Sequence, residues 1–451
     1  MTILTAPSFR ASRHSSEPTV VDPNDPKGKQ QAIHKAESFA EYLAKRDTGG
    51  VKMTASAPVA GTGFVGGQTA FAAKHSPSDL ASLAHLLAAP ETDFLNRKGK
   101  IVATLGPASS NPEMIKKLIQ AGVDVFRLNS SHRQPGQFEE LIPCIRNTAA
   151  ELGRDVRILG DIQGPKFRCS MTVNDQPVPL PEGSVVEFGL AMSDAELTQP
   201  GKIVLTPTTE QTALVRGLEP GMTLLLDDGL MEIKVLERKS DDLVTCEVKV
   251  GGNLKSRKGI NVPQLQIDCS ALTVKDREDA AYLLSMGVDY IALSFAQRKQ
   301  DIEELIEVMD QQGVPKDQRP EIIPKIEKPA ALANIDEILE LSDGLMVARG
   351  DLGVELGLHR VPFAQKFLVR KANAAGKFCI TATQMMESMI ENAVPTRAEV
   401  SDVANAVFDG TDAVMLSGES AMGADPCGTV QWMGRIISEA EEHAVDVSPS
   451  F

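Results

Sequence analysis

Aromatic side chains are scarce in this sequence, at 4% of 451 residues with a single tryptophan, Trp432. That scarcity excludes the stacking platforms by which proteins hold single-stranded nucleic acid. Positive charge is also short: 46 Lys+Arg against 61 Asp+Glu leave a formal charge of −15. A nucleic-acid or anionic-membrane partner needs the opposite surplus, so neither is expected. No apolar run approaches the roughly 20 residues that cross a bilayer. The first residues lack the continuous apolar stretch of a secretory signal. The six cysteines, at 144, 169, 246, 269, 379 and 427, include no C-x-x-C pair, and several sit in apolar runs such as Phe378-Cys379-Ile380. They read as buried thiols of a reducing compartment, not as a disulfide framework or zinc site, and a cytoplasmic location is expected. Residues 1–16 hold Arg10, Arg13, several Ser and Thr and no acid. A transit peptide for a plastid or other organelle has the same composition, which is the alternative reading.

What is present is ordinary for a folded soluble chain: 42% hydrophobic and 24% charged residues. The length allows two or three domains, or one large barrel with additions, at about 150 residues per domain. Residues 1–97 are rich in Ser, Pro, Gly and Ala, with helices expected only at 32–46 and 77–89. The run Gly61-Thr62-Gly63-Phe64-Val65-Gly66 matches G-x-G-x-x-G, but neither a strand nor a βαβ unit surrounds it, so the match is taken as accidental.

From residue 98 short apolar runs alternate with amphipathic segments. Eight strands are predicted at 100–105, 123–129, 156–161, 289–294, 321–326, 344–349, 378–383 and 412–417, each continuous enough in apolar residues to be buried on both faces. Asn111, Pro112 and Gly122 mark the cap, first position and end of the helix after the first strand. Thr273 and Asp276 open the helix before the fourth. Residues 169–265 break this rhythm with Pro- and Gly-punctuated strands and no helix, as in a separate small inserted β domain. What is left, 98–168 with 266–441, is close to the ~250 residues of a (β/α)8 TIM barrel. Residues 442–451 form a tail.

A barrel of this kind collects function at the C-terminal ends of its strands. The polar residues fall there, in Arg127-Leu128-Asn129-Ser130-Ser131-His132, Asp161 to Arg168, Lys325-Ile326-Glu327, Ala348-Arg349-Gly350-Asp351 and Thr381-Ala382-Thr383-Gln384. Strand alternation puts Lys325 and Glu327 on one face, and likewise Arg127, Asn129 and Ser131. Charges inside an apolar strand are costly unless paired or ligand-bound. Two acids (Glu327, Asp351), three cations (Arg127, Arg168, Lys325) and hydroxyls suit a divalent, oxygen-ligated metal beside an anionic substrate. The residues alone leave phosphoryl transfer and aldol cleavage both open.

At these positions the sequence resembles the pyruvate kinase family. The likeness is carried by Lys100 to Ser109 (KIVATLGPAS), Arg127 to His132, Pro324 to Glu327 and Met346 to Val354 (MVARGDLGV). It continues in Thr381 to Ile390 (TATQMMESMI), Pro395 to Gly410 and Met415 to Glu419, with Leu226-Asp227-Asp228-Gly229 in the insert. The resemblance implies a glycolytic phosphotransferase that moves the phosphoryl group of phosphoenolpyruvate to ADP, giving pyruvate and ATP. It assigns Mg²⁺ (or Mn²⁺) to Glu327 and Asp351, and the phosphoryl group to Lys325 and Arg127. The substrate carboxylate falls to the backbone near Ala348, Gly350 and Asp351 with Thr383, which also supplies the enolate's proton through water. Thr104, Pro107, His132 and Arg168 match the nucleotide side. The resemblance also implies that the insert is a small β-barrel lid. A lyase or aldolase barrel shares a metal–enolate site but has no reason to carry the insert or Lys325-Ile326-Glu327.

The sequence departs from the family pattern in places. Asn129, Ser131 and Asp161 match a monovalent-cation site, but Ile162 and Lys166 replace a Thr and a Glu. That resembles potassium-independent members, in which a lysine ammonium stands in for K⁺, so K⁺ is not expected to be required. Met422 stands where some relatives carry a nucleotide-facing Lys, and Arg133 replaces a Gly. The family's C-terminal α/β domain, with its sugar-phosphate effector site, would follow the last barrel helix, but the sequence runs only ten residues further. Effector activation is therefore not expected, any homo-oligomer is expected to form through the barrel, and a catalytically impaired truncated relative is the alternative.

Overall fold

Apolar runs of four to six residues, rich in Ile and Val, set the architecture. Eight of them form a closed parallel barrel: β1 (Lys100–Thr104), β2 (Val125–Asn129), β3 (Arg157–Ile162), β12 (Tyr290–Leu293), β13 (Glu321–Ile326), β14 (Gly344–Ala348), β15 (Phe378–Ala382) and β16 (Ala413–Leu416). All eight coincide with predicted strands to within a few residues. The protein is described from a computed structural model over residues 94–443, except 194, 266, 268, 269 and the side chain of His132. The expected helices at 32–46 and 77–89, the glycine motif at 61–66 and the tail beyond 443 lie outside the described residues. Among the described residues no helix is long and apolar enough to cross a membrane.

Each barrel strand feeds two cores, because alternate side chains leave opposite faces. Val102, Val125, Leu159, Ala292, Ile323, Met346 and Ile380 meet in one cluster that plugs the barrel interior. Their neighbours, such as Ile101, Phe126, Ile158, Ile291 and Leu345, join the larger cluster under the helices. Burying each such side chain is worth roughly 1.5–3 kcal/mol. The helices begin where the sequence signals them. Asn111 accepts from Met114 N at 2.9 Å, Pro112 follows, and Gly122, at φ 109°, closes the turn. Thr273 and Asp276 form a complete reciprocal capping box at the helix start expected there.

The insert between β3 and β12 forms a six-stranded sheet in the order β11-β7-β8-β9-β5-β6. Its strands are β5 (Val185–Leu190), β6 (Lys202–Leu205), β7 (Thr223–Leu226), β8 (Met231–Ser240), β9 (Leu243–Val250) and β11 (Ile260–Asn261). The short β4 (Val178–Leu180) and β10 (Gly252–Leu254) pair as a separate ribbon, and edge strands β6 and β11 do not pair to close the sheet into a barrel. Phe188, Ile203, Leu224, Ile233 and Val248 give the insert a hydrophobic cluster of its own. One expectation fails here, because the insert contains a helix, Thr209–Gly217. Thr208 caps it and Leu214 and Val215 are buried, but nine residues with one apolar step leave too little periodicity to read.

Candidate active site

The inward stripe of each strand is apolar at its base and turns polar one step further on. Val125 is followed by Arg127, Leu159 by Asp161, Ala292 by Ser294 and Ile323 by Lys325. Closure of the barrel then brings these four side chains to one mouth. Asp161, 2% exposed, accepts from Arg127 Nε at 2.6 Å, and Lys325 Nζ lies 3.3 Å from its other oxygen. Lys325 Nζ also donates to Ser294 Oγ at 2.7 Å and stands 3.2 Å from Glu327 Oε1. Ser294 in turn donates to Ile162 O at 2.6 Å.

Charge balance favours the ionised forms of Asp161 and Lys325. Burial pushes the Asp161 carboxyl up, but Arg127 and Lys325 more than offset it and hold it below the usual carboxylate range. Burial works against the Lys325 ammonium too, yet Asp161 and Glu327 raise its pKa above that of an ordinary lysine. Glu327 is shifted the other way: burial raises its pKa, Lys325 opposes this, and the neighbouring Asp351 adds to the rise. Phe295 N donates to Glu327 Oε2 at 2.7 Å and fixes the carboxylate.

Two carboxylates, Glu327 and Asp351, thus face one region with hard oxygen donors. No cluster of three or more His, Cys, Asp or Glu side chains able to hold a metal occurs among the described residues. That pair fits Mg²⁺, which commonly keeps several waters and takes only one or two carboxylates plus substrate oxygens. Asp351 lies in the helix Arg349–Leu356, whose N-cap, Ala348, has no side chain able to cap it. Its first N–H groups therefore form a natural anion site at the mouth. A Cβ on Gly350 would lie 2.9 Å from Thr383 Cγ2, so only glycine leaves Thr383 where it is. Thr383 (φ 76°), Gln384 (φ 57°) and Phe295 (φ 56°) are in the left-handed region. Such conformations cost about 1–3 kcal/mol each in non-glycine residues. Their concentration at the mouth means that the surrounding structure enforces them.

The remaining expected residues are placed unevenly. Thr104 is buried, donates to Leu416 O at 2.8 Å and accepts from Arg127 Nη1 at 3.1 Å, so it braces Arg127 directly. Pro107 is exposed in the loop after β1. Arg168 donates to Arg257 O at 3.1 Å and lines a cavity of about 340 Å³ with Ser170, Thr206 and Gln211. The His132 side chain lies outside the described residues. β2 ends at Asn129, and Ser130–His132 form a 3-10 turn in which Asn129 Oδ1 accepts from Ser131 N, so the expected alternation does not reach Ser131.

Lys166 also departs from expectation. Its ammonium bonds Asp351 at 2.9 and 3.2 Å and lies 3.7 Å from Asp228 of the insert. The cations on Asp161 are Arg127 and Lys325. Asp228 can reach inward because Asp227, Asp228 and Gly229 all take positive φ in the β7–β8 turn, a run suited to Asp and Gly. Arg133, with no role legible in the sequence, stacks 4.2 Å from the Tyr282 ring centroid and pairs with Asp279 at 3.3 Å. Met422 is exposed. Ser294 and Phe295 were missed, although their place at the end of the fourth strand was the available signal.

Comparison with known proteins agrees with this fold. A sequence profile described as the pyruvate kinase barrel domain matches residues 96–430. A pyruvate kinase of Bacillus licheniformis is 46% identical over 351 residues, which is 77% of this chain and 57% of that protein. One from Agrobacterium vitis is 46% identical over 349 residues, 77% of this chain and 69% of the relative. The chain therefore spans between about half and two thirds of these relatives' length. A crystal structure of a pyruvate kinase from Cryptosporidium parvum superimposes with a TM-score of 0.72 at 35% identity, covering 80% of this chain and 75% of the other.

Proposed function

Because the chain belongs to the pyruvate kinase family, we propose that it transfers the phosphoryl group of phosphoenolpyruvate to ADP, giving ATP and pyruvate. The observation that carries the proposal is Lys325, an ammonium held in the barrel mouth between Asp161 and Glu327. Positioned positive charge is the main device for moving a phosphoryl group. In this reading Arg127 binds the phosphate of phosphoenolpyruvate and Lys325 neutralises the group in transit. The N-terminal N–H groups of the Arg349–Leu356 helix, from Gly350 and Asp351 next to Ala348, take the substrate carboxylate together with Thr383. Glu327 and Asp351 would hold Mg²⁺ (or Mn²⁺), which when bound would supply positive charge to offset the negative charge of the substrate. Breaking the bond from the enol oxygen to phosphorus leaves an enolate. A proton delivered from Thr383 through water to its C3 gives the ketone.

Thr104, Pro107, His132 and Arg168 form the nucleotide side, and the insert closes over the bound substrates to exclude water. The chain works without K⁺, because Arg127 and Lys325 already neutralise Asp161 and Lys166 pairs with Asp351. Subunits associate through the barrel, which light scattering checks. The decisive measurement is pyruvate formation from phosphoenolpyruvate and ADP, with and without Mg²⁺. Folded protein that turns over nothing overturns the activity. A large rate gain from KCl at constant ionic strength overturns K⁺ independence alone.

A further inference from the structure

Thr383 holds a conformation that a β-branched residue leaves readily, because its Cβ crowds the backbone at positive φ. Keeping it there requires control of the peptide planes on both sides of its Cα. Those planes end in the carbonyls of Ala382, which sets φ, and of Thr383 itself, which sets ψ. One side chain grips both. Arg349 Nε lies 3.1 Å from Ala382 O and 3.2 Å from Thr383 O, and Nη2 donates to Thr383 O at 2.7 Å. The far side of the guanidinium is anchored in turn. Nη1 donates to Asp402 Oδ1 at 2.8 Å and to Gln365 Oε1 at 3.2 Å, and Nη2 lies 2.7 Å from Asp402 Oδ2.

We propose that Arg349 is a positioning residue that clamps the two peptide planes around Thr383 and so holds its hydroxyl at the barrel mouth for the proton-transfer step. The proposal rests on the role given to Thr383 above. A flat fork of donors can hold two carbonyls in fixed relative orientation, whereas a single ammonium cannot, so lysine does not replace arginine here. Asp402 acts one step further out, by fixing the guanidinium. Neither side chain is required to touch the substrate.

The test separates proton transfer from substrate binding. Uptake of deuterium at C3 of pyruvate in D₂O, followed by proton NMR with Mg²⁺ present, reads proton transfer at that carbon. The KM for phosphoenolpyruvate reads binding. Arg349→Lys is expected to lower both deuterium uptake and kcat about 10- to 100-fold, since small misplacements of a reacting group cost that much. The KM for phosphoenolpyruvate rises by a smaller factor than kcat falls, because Thr383 is one of several groups on the carboxylate but is the group that delivers the proton. Asp402→Asn shows the same pattern at smaller size, and Thr383→Ala sets the floor. Circular dichroism checks folding, and if Arg349→Gln fails to fold, Arg349→Lys and Asp402→Asn decide. Uptake within about twofold of wild type in Arg349→Lys, or uptake and KM worsening by the same factor, overturns the positioning role. A wild type silent in both uptake and ATP formation removes the activity and this inference together, whereas an active wild type with unaffected variants removes the inference alone.

Discussion

Asp161 gains its value from the two cations that it holds, Arg127 and Lys325. Replacing it with asparagine leaves Arg127 and Lys325 facing each other in a buried space. Removing one partner of a buried ion pair costs about 3–5 kcal/mol, and Asp161→Asn should lose that much in urea titration. The pH dependence has a definite sign. The folded pKa of Asp161 lies below its unfolded value. Its contribution is therefore complete above the ordinary carboxylate range near ~3.9 and is lost as pH falls through the folded pKa. Between neutrality and mild acid the variant's Tm should run parallel to that of wild type, and below that range the gap should narrow. A gap that widens in acid contradicts the assignment. Lys325→Met removes the ammonium proposed to face the migrating group. It should cut kcat by about 10³-fold or more, given what positioned cations contribute to phosphoryl transfer. A loss under about tenfold would mean that another cation fills this role.

At the scale of elements, the helix Val274–Ser285 shows how a local signal becomes a site-building contact. Asp276 closes the capping box with Oδ2, while its Oδ1 accepts from Gly164 N at 3.0 Å in a buried setting. One side chain thus starts the helix and pins the loop that carries Lys166 out of β3. Loss of a cap alone costs about 1 kcal/mol, and orphaning a buried N–H adds about 1–3 kcal/mol. Asp276→Ala should therefore destabilise by more than Thr273→Ala in the same urea titration, and equal losses would show that the Gly164 contact contributes nothing. The capping half of this arrangement was legible in the sequence, as were the eight strands and the polar strand ends. These are local signals of period, cap and composition. The Gly164 contact was not legible, nor was the turn of Lys166 towards Asp351 and away from Asp161. Both depend on where a loop lands across the barrel, which spacing does not encode. Arg133 was opaque for the same reason: its partners, Asp279 and Tyr282, lie in a helix far along the chain.

Over the whole molecule, a chain of net charge −15 gathers Arg127, Lys166, Lys325 and Lys328 around one opening. The attraction for the proposed phosphorylated substrate is therefore local. The insert joins this opening through a buried polar link. Asn261 on β11, 4% exposed, donates from Nδ2 to Glu355 Oε1 at 2.8 Å, and Lys328 Nζ donates to the same oxygen at 2.6 Å. Glu355 shares a helix with Asp351, and Lys328 follows Glu327, so the link ties the insert to both carboxylates assigned to the metal. If the insert opens and closes as proposed, opening breaks the Asn261 bond but leaves Glu355 paired with Lys328, so the barrel side stays satisfied in either state. A hydrogen bond to a charged group is worth about 1.5–3 kcal/mol, enough to bias an open–closed balance by roughly 10-fold or more. Asn261→Ala should accordingly speed amide hydrogen exchange in the strands of the insert while leaving the barrel strands unchanged. It should also raise the KM for ADP by about 3- to 10-fold, because the closed state is a smaller fraction of the whole. Exchange that quickens equally in insert and barrel would make Asn261 an ordinary stabilising residue, and no change in either quantity would mean that closure does not depend on this link.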